Sequence, residues 1–356
     1  MNGVIIIDKP AAWTSHDVVN RMRRILQQRS VGHLGTLDPL ATGVLPLVTG
    51  GLTRLAQFYT TSEKTYEGVI RFGFATNTYD ADGEPVQVNV GTAALGCPEG
   101  RRLDLSLEAL QKLAVRFKGT IEQVPPPFSA KKIHGVPAYK LARRQKEVVL
   151  KPVQVEIKEF EILAVEGDRA RFRARVASGT YMRSVAHEMG QLLGSGAHLE
   201  SLRRTAVAEF DITQAHTLEE IEAKMKGGQV KEGKAEEGPI KPCHSEQVPL
   251  ACHSEAPPAA ESLPRASEAR RGEPAVSRHE GIAALFIHPR QLLPQLPSVT
   301  ADEPTVARIR TGRTVNLPDV SRARQVKVFQ GQSDLIAIAT RIAGTLFHPK
   351  IVFSDQ

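Results

Sequence analysis

One run of the chain gathers an unusual set of reactive and conformationally demanding residues. Val31-Gly32-His33-Leu34-Gly35-Thr36-Leu37-Asp38-Pro39-Leu40-Ala41-Thr42-Gly43-Val44-Leu45-Pro46 holds three glycines, two prolines, a histidine and an aspartate. That density of breakers predicts a shaped loop rather than a regular element. Loops on rigid scaffolds are where catalytic groups concentrate, and Asp38, held out of helical geometry by Pro39, is the carboxylate such a loop would present. An isolated Asp-Pro pair is usually only a turn, and here the neighbours carry the catalytic reading. Other chemistries are poorly supplied. Gly228 through Ala235 (GQVKEGKA) is the nearest approach to a phosphate-binding loop and lacks the Ser or Thr that would hold magnesium. His187-Glu188 is not followed by the second histidine of a zinc protease. The repeated pairs Cys243-His244 and Cys252-His253 lack zinc-ligand spacing. Neither a metal nor a cofactor is expected.

The elements that must position this loop have a mixed pattern. Val4–Ile7 predicts a short buried strand. From Ser15 to Gln28, Val18, Val19, Met22, Ile25 and Leu26 form one helical stripe, capped by Thr14 or Ser15. Tyr66–Phe74 alternates as a half-buried strand. Ser106–Phe117 predicts a helix, Val153–Val165 and Ala170–Ala177 a pair of strands, and Thr180–Leu193 a helix. Strands and helices interleave without regular βαβ spacing, which favours α+β over a doubly wound sheet. From about Phe286, short β-type runs between Gly and Pro fit a small barrel-like β domain.

The chain has 356 residues, 24% charged and 41% hydrophobic, as in an ordinary globular protein of about two domains. Residues 226–280 stand apart, with no Phe, Tyr or Trp, six Ile, Leu or Val, seven Pro and five Gly. So little apolar surface cannot offset the entropy of ordering, so this stretch reads as a disordered insert. Lys and Arg number 46 against 39 Asp and Glu, a net charge of +7. That excess suits a polyanionic partner. No basic n-region with an apolar core opens the chain, and no run approaches a membrane span. Three cysteines are too few for a disulfide framework, and a cytoplasmic protein is expected.

The run around Asp38 closely resembles the catalytic loop of the bacterial tRNA pseudouridine synthase B family, G-H-x-G-x-L-D-P-x-A-x-G-x-L. Further motifs follow in order. Asp8-Lys9-Pro10 with Trp13-Thr14-Ser15 is similar to the family's D-K-P-x-G-x-T-S, with Ala12 in place of Gly. Lys64-Thr65-Tyr66 resembles the motif of the active-site tyrosine, and Thr76 through Glu84 (TNTYDADGE) the polar loop after it. Pro125-Pro126-Pro127-Phe128-Ser129-Ala130-Lys131-Lys132, Gly179-Thr180-Tyr181-Met182-Arg183, and Gly196-Ala197-His198-Leu199 with Leu202-Arg203-Arg204-Thr205 complete the series.

The resemblance implies a pseudouridine synthase catalytic domain over 1–225, on a mixed, largely antiparallel sheet. A small PUA-like RNA-binding β domain would follow over 281–356. It implies isomerisation of uridine 55 in the tRNA T-loop, with the T-arm as partner and the chain a monomer. Asp38 would be the nucleophile, whether by attack on C1′ or through a glycal, and Arg183 would hold it ionised and oriented. Tyr66 would stack on the flipped uracil and serve proton removal at C5. A phenol is a poor base at neutral pH, so Asp38 or another group would have to assist. His33 would fill the space the base leaves, and Leu202 would line the pocket. Lys9, Lys131, Lys132, Arg143, Arg144, Arg203 and Arg204, with Arg308, Arg310, Arg313, Arg322 and Arg324 in the tail, are the candidates for holding RNA. A non-catalytic tRNA-folding factor would call for loss of Asp38, Tyr66 or Arg183, and all three are present.

Overall fold

The four consecutive apolar residues Val4–Ile7 lie in a strand buried on both faces, which is why they do not alternate with polar ones. This strand, β1 (Gly3–Lys9), belongs to a ten-stranded sheet. Its other members are β2 (Val31–His33), β3 (Thr42–Thr49), β4 (Lys64–Phe72), β5 (Gly119–Gln123), β6 (Val153–Glu166), β7 (Arg169–Val176), β8 (Ala197–Val207), β9 (Phe210–Asp211) and β10 (Phe286–Ile287). The order is β10-β1-β3-β8-β4-β7-β6-β5, with β2 on β3 and β9 on β8. Within it the pairs are antiparallel, except that β8 runs parallel to β3, Arg203 opposite Thr42 and Arg204 opposite Gly43. The computed structural model describes residues 1–86, 105–129, 132–133, 136–137, 150–225, 281–318 and 323–353. The insert expected at 226–280, its two Cys-His pairs, Lys131, Arg143, Arg144 and Arg322 lie outside the described residues.

Helices cover one face of this sheet. Helix α1 (Ser15–Ile25) opens on Thr14, whose hydroxyl accepts from the Asp17 amide while the Asp17 carboxylate returns a bond to the Thr14 amide. It stops at Ile25, short of the expected Gln28, because Gln27 turns to a φ of 50°. Helix α2 (Leu107–Val115) is capped by Ser106 as expected. Helix α3 (Met182–Leu192) has no side-chain cap at Tyr181. Instead the buried amide of Gln123 brackets the Tyr181 peptide, accepting from its N–H at 2.8 Å and donating to its carbonyl at 3.1 Å. Helix α4 (Leu218–Met225) lies against α1, with Arg21 paired to Glu222.

The tail forms a second, five-stranded sheet. Its strands are β11 (Ser298–Ala301), β12 (Val315–Asn316), β13 (Gln325–Gln330), β14 (Asp334–Ala343) and β15 (Leu346–Val352), in the order β11-β13-β14-β15-β12. Helix α5 (Glu303–Arg310) packs on β14 and β15. The fold is thus α+β. The two sheets share a core, in which Val4, Ile6, Val44 and Val48 cluster with Phe329, Leu335, Ile338, Ile351 and Phe353. Across this seam the Glu209 carboxylate accepts from the Tyr59 hydroxyl at 2.6 Å and from the Leu293 amide at 2.8 Å.

Candidate active site

The run 31–46 is only partly the loop its composition suggests. Its ends are strand, β2, which pairs with Leu47–Thr49, and the first part of β3, and the irregular piece between them carries Asp38. Four residues from two stretches of chain, 9–15 and β8, pin that piece. The Arg204 guanidinium donates to the carbonyls of Gly35 (3.0 Å), Thr36 (3.2 Å) and Val44 (2.8 Å). Ser15 Oγ donates to the Leu37 carbonyl at 3.1 Å and accepts from the Leu37 amide at 2.8 Å. The Lys9 ammonium donates to the carbonyls of Pro10 (2.8 Å), Trp13 (2.6 Å) and Pro39 (3.2 Å). The Ala12 amide donates to the Pro39 carbonyl at 3.0 Å. Gly43 permits the closest approach, since a Cβ there would lie 2.2 Å from the Arg204 carbonyl oxygen, and its φ is 97°.

Two expectations about phosphate-holding residues are therefore corrected. Lys9 and Arg204 are both 0% exposed. Their charges are turned inward onto backbone carbonyls, so they build the loop and cannot reach an RNA backbone. Burial brings the Lys9 pKa down to about 8, with Asp38 opposing the shift. Arg203 is half-exposed but engaged, its two terminal nitrogens on the two oxygens of Asp8 at 3.1 and 2.7 Å. Lys132 lies in the two-residue strand Lys132–Ile133.

Asp38, Tyr66, Arg183, His33 and Leu202 meet as expected, around one pocket of about 450 Å³. Lys64, Ser129 and the turn 177–182 complete its wall. Arg183, 4% exposed, brings its Nε within 2.9 Å of Asp38 Oδ2, while the Asp38 side chain keeps 39% of its surface open. An accessible carboxylate is thus held against a buried cation. The same guanidinium donates to the carbonyls of Thr78 (3.2 Å) and Phe128 (3.1 Å), and lies 3.4 Å from Asp80 Oδ2. Asp80 is a buried second acid that sequence reasoning passed over, because an aspartate in a short polar loop looks like turn chemistry.

His33 Nδ1 accepts from the Gly35 amide at 3.3 Å, which leaves the ring proton on Nε2. Burial, with Arg204 and His16 nearby, holds its pKa below the usual value. A neutral, flat ring therefore faces the pocket. Tyr66 and Leu202 project from adjacent strands, β4 and β8. Lys64 donates to the Ser62 carbonyl, and burial with Arg204 brings its pKa down to about 8. Burial and the Asp38 charge push the Tyr181 phenol up. Among the described residues no group of His, Cys, Asp and Glu could hold a metal, and no helix is long and apolar enough to cross a membrane.

Residues 23–182 match the model of the TruB family pseudouridylate synthase N-terminal domain, and 183–242 that of the tRNA pseudouridylate synthase B C-terminal domain. The tRNA pseudouridine synthase B of Solibacter usitatus is 42% identical over 355 residues, covering 99% of this chain and 100% of that one. That of Aquifex aeolicus is 41% identical over 223 residues, 62% of this chain and 74% of its own. A solved chain of a Cbf5-Nop10-Gar1 complex shares the fold at a TM-score of 0.61 and 21% identity, covering 99% of this chain and 85% of that one.

Proposed function

The chain belongs to the TruB family of pseudouridylate synthases, and on that premise we propose that it converts uridine 55 in the T-loop of tRNA to pseudouridine. One observation carries the reading: the half-open Asp38 carboxylate, ion-paired to buried Arg183, stands in one pocket with Tyr66. The conversion breaks the bond between uracil N1 and ribose C1′, turns the base, and joins C5 to C1′, with C5 losing a proton and N1 gaining one. It is redox-neutral and needs no energy input, so side chains suffice.

The target base must first leave its stack, at a cost of a few kcal/mol. The flat ring of His33 fills the vacated space and offsets part of that cost. Tyr66 receives the uracil on its ring face, and Leu202 closes the apolar side. Asp38 acts on the sugar or base, with Arg183 fixing its orientation. Residues 1–225 carry the chemistry, and the β sheet of 281–356 acts as a PUA-like RNA holder on a monomeric, cytoplasmic enzyme.

The test is tritium release from C5-labelled uridine in an unmodified tRNA transcript, mapped to the T-loop by chemical labelling and primer extension. Wild type is expected to release tritium and Asp38→Asn to fall to background while still binding the transcript. Equal release by both proteins, or release mapped elsewhere in the tRNA, would sink the assignment.

A further inference from the structure

Tyr79 has a conformation that the proposed chemistry does not explain. Its φ is 66°, in the left-handed region that a bulky residue seldom enters. Its ring lies flat on the imidazole of His187, with centroids 3.7 Å apart and planes 9° from parallel. Its carbonyl accepts from the Leu199 amide at 3.0 Å, and the Ala81 amide donates back to the Leu199 carbonyl at 3.0 Å. These two bonds bracket Asp80 against β8.

The residues on either side of Tyr79 both hold Arg183, Thr78 through its carbonyl and Asp80 through its carboxylate. Arg183 and His187 lie four residues apart on α3, neighbours on one helix face. That face therefore grips the tripeptide Thr78–Asp80 at two heights, by a charged fork and by a ring stack. We propose that the Tyr79–His187 stack is a positioning device that sets where Arg183 sits, and through Arg183 the geometry of Asp38. The inference rests on Asp38 being the reacting carboxylate.

The physical case is a competition for one cation. Asp38 and Asp80 both approach the Arg183 guanidinium, and its balance between them depends on where the 78–80 backbone stands. The stack offsets the conformational cost of a left-handed tyrosine. Without it the loop relaxes, the Thr78 carbonyl and Asp80 carboxylate move off the guanidinium, and Asp38 loses a fixed partner. The stack requires two flat rings and no hydroxyl. His187 reaches Gln191 with its Nε2 at 2.9 Å, which leaves the ring face to Tyr79.

The experiment compares single-turnover pseudouridylation of a tRNA transcript with its binding affinity, using full-length variants. Tyr79→Asn keeps a residue that accepts positive φ and removes the ring, while Tyr79→Phe keeps the ring. The Asn variant is expected to react about tenfold more slowly, as a reacting group shifted by a fraction of an ångström would. Its affinity should stay within about twofold of wild type, the mark of an effect on the reacting complex and not on binding. Tyr79→Phe and His187→Phe should react at the wild-type rate, and His187→Ala should match Tyr79→Asn. The His187 pair carries the same comparison if the Asn variant folds poorly. A wild-type rate in both Tyr79→Asn and His187→Ala overturns the proposal, and so does a Tyr79→Phe as slow as Tyr79→Asn. Asp38→Asn run alongside separates the layers. If it reacts, the assignment of Asp38 fails; if it is inert while the ring-deleting variants are normal, only the stack fails.

Discussion

Ala12 shows how much one residue can reveal when its conformation is known. The family pattern has glycine there, and the structure keeps the glycine-like turn, with Ala12 at a φ of 64° and its amide on the Pro39 carbonyl. A left-handed alanine costs roughly 1–2 kcal/mol. Ala12→Gly is therefore expected to stabilise the chain by about 1 kcal/mol, less what the glycine loses in unfolded-chain entropy. A higher urea midpoint at unchanged slope would show it; a lower midpoint would mean the turn is not strained. At this scale Asp38, Tyr66 and Arg183 were legible through the family motifs they sit in, whereas Leu202 is spelled like any core leucine. Lys9 and Arg204 were not, since a cation turned inward onto carbonyls is spelled like one facing water. Asp80 was hidden for a related reason, its distinction lying in burial beside Arg183.

Among the elements, β8 does the most to build the site. Leu202 faces the pocket, Arg203 reaches Asp8, and Arg204 runs under the loop bearing Asp38. The register slips between Leu199 and Ser201 opposite β4 help explain why apolar spacing alone did not mark this strand. The strands inside 31–46 were masked differently, by Gly32 and Pro46 within β2 and β3 and by Gly43 at a φ of 97°. By contrast, α1 and α2 declared themselves through caps and periodic apolar stripes. Arg204→Met removes three charge-assisted bonds and leaves three carbonyls unsatisfied, so a loss of about 3 kcal/mol or more is expected in chemical denaturation. Because Arg204 touches no phosphate, the salt dependence of RNA binding by the folded variant should not change. A slope reduced by about one unit would instead identify Arg204 as a phosphate contact.

At the scale of the whole molecule, the expected division at 281 meets a structure whose two sheets are not independent. Phe286 and Ile287 extend the first sheet, and Val4, Ile6, Val44 and Val48 bury their other face against the second. Composition could announce a β-rich tail but not that its apolar side is the missing half of a core. Removing 281–356 is therefore expected to lower the melting temperature by more than about 10 °C and to raise binding of a hydrophobic dye. An intact melting temperature would show that the first sheet needs no cover. The order of the central strands also bears on synthesis. The loop bearing Asp38 and the strand bearing Tyr66 are translated early, yet β8, at residues 197–207, must enter between β3 and β4. At about 5–20 residues per second, that loop waits many seconds for the arginine that will support it. A nascent chain stopped before this strand emerges would already hold Asp38 and Arg183, but the loop bearing Asp38 would lack the Arg204 side chain beneath it until translation is past its midpoint.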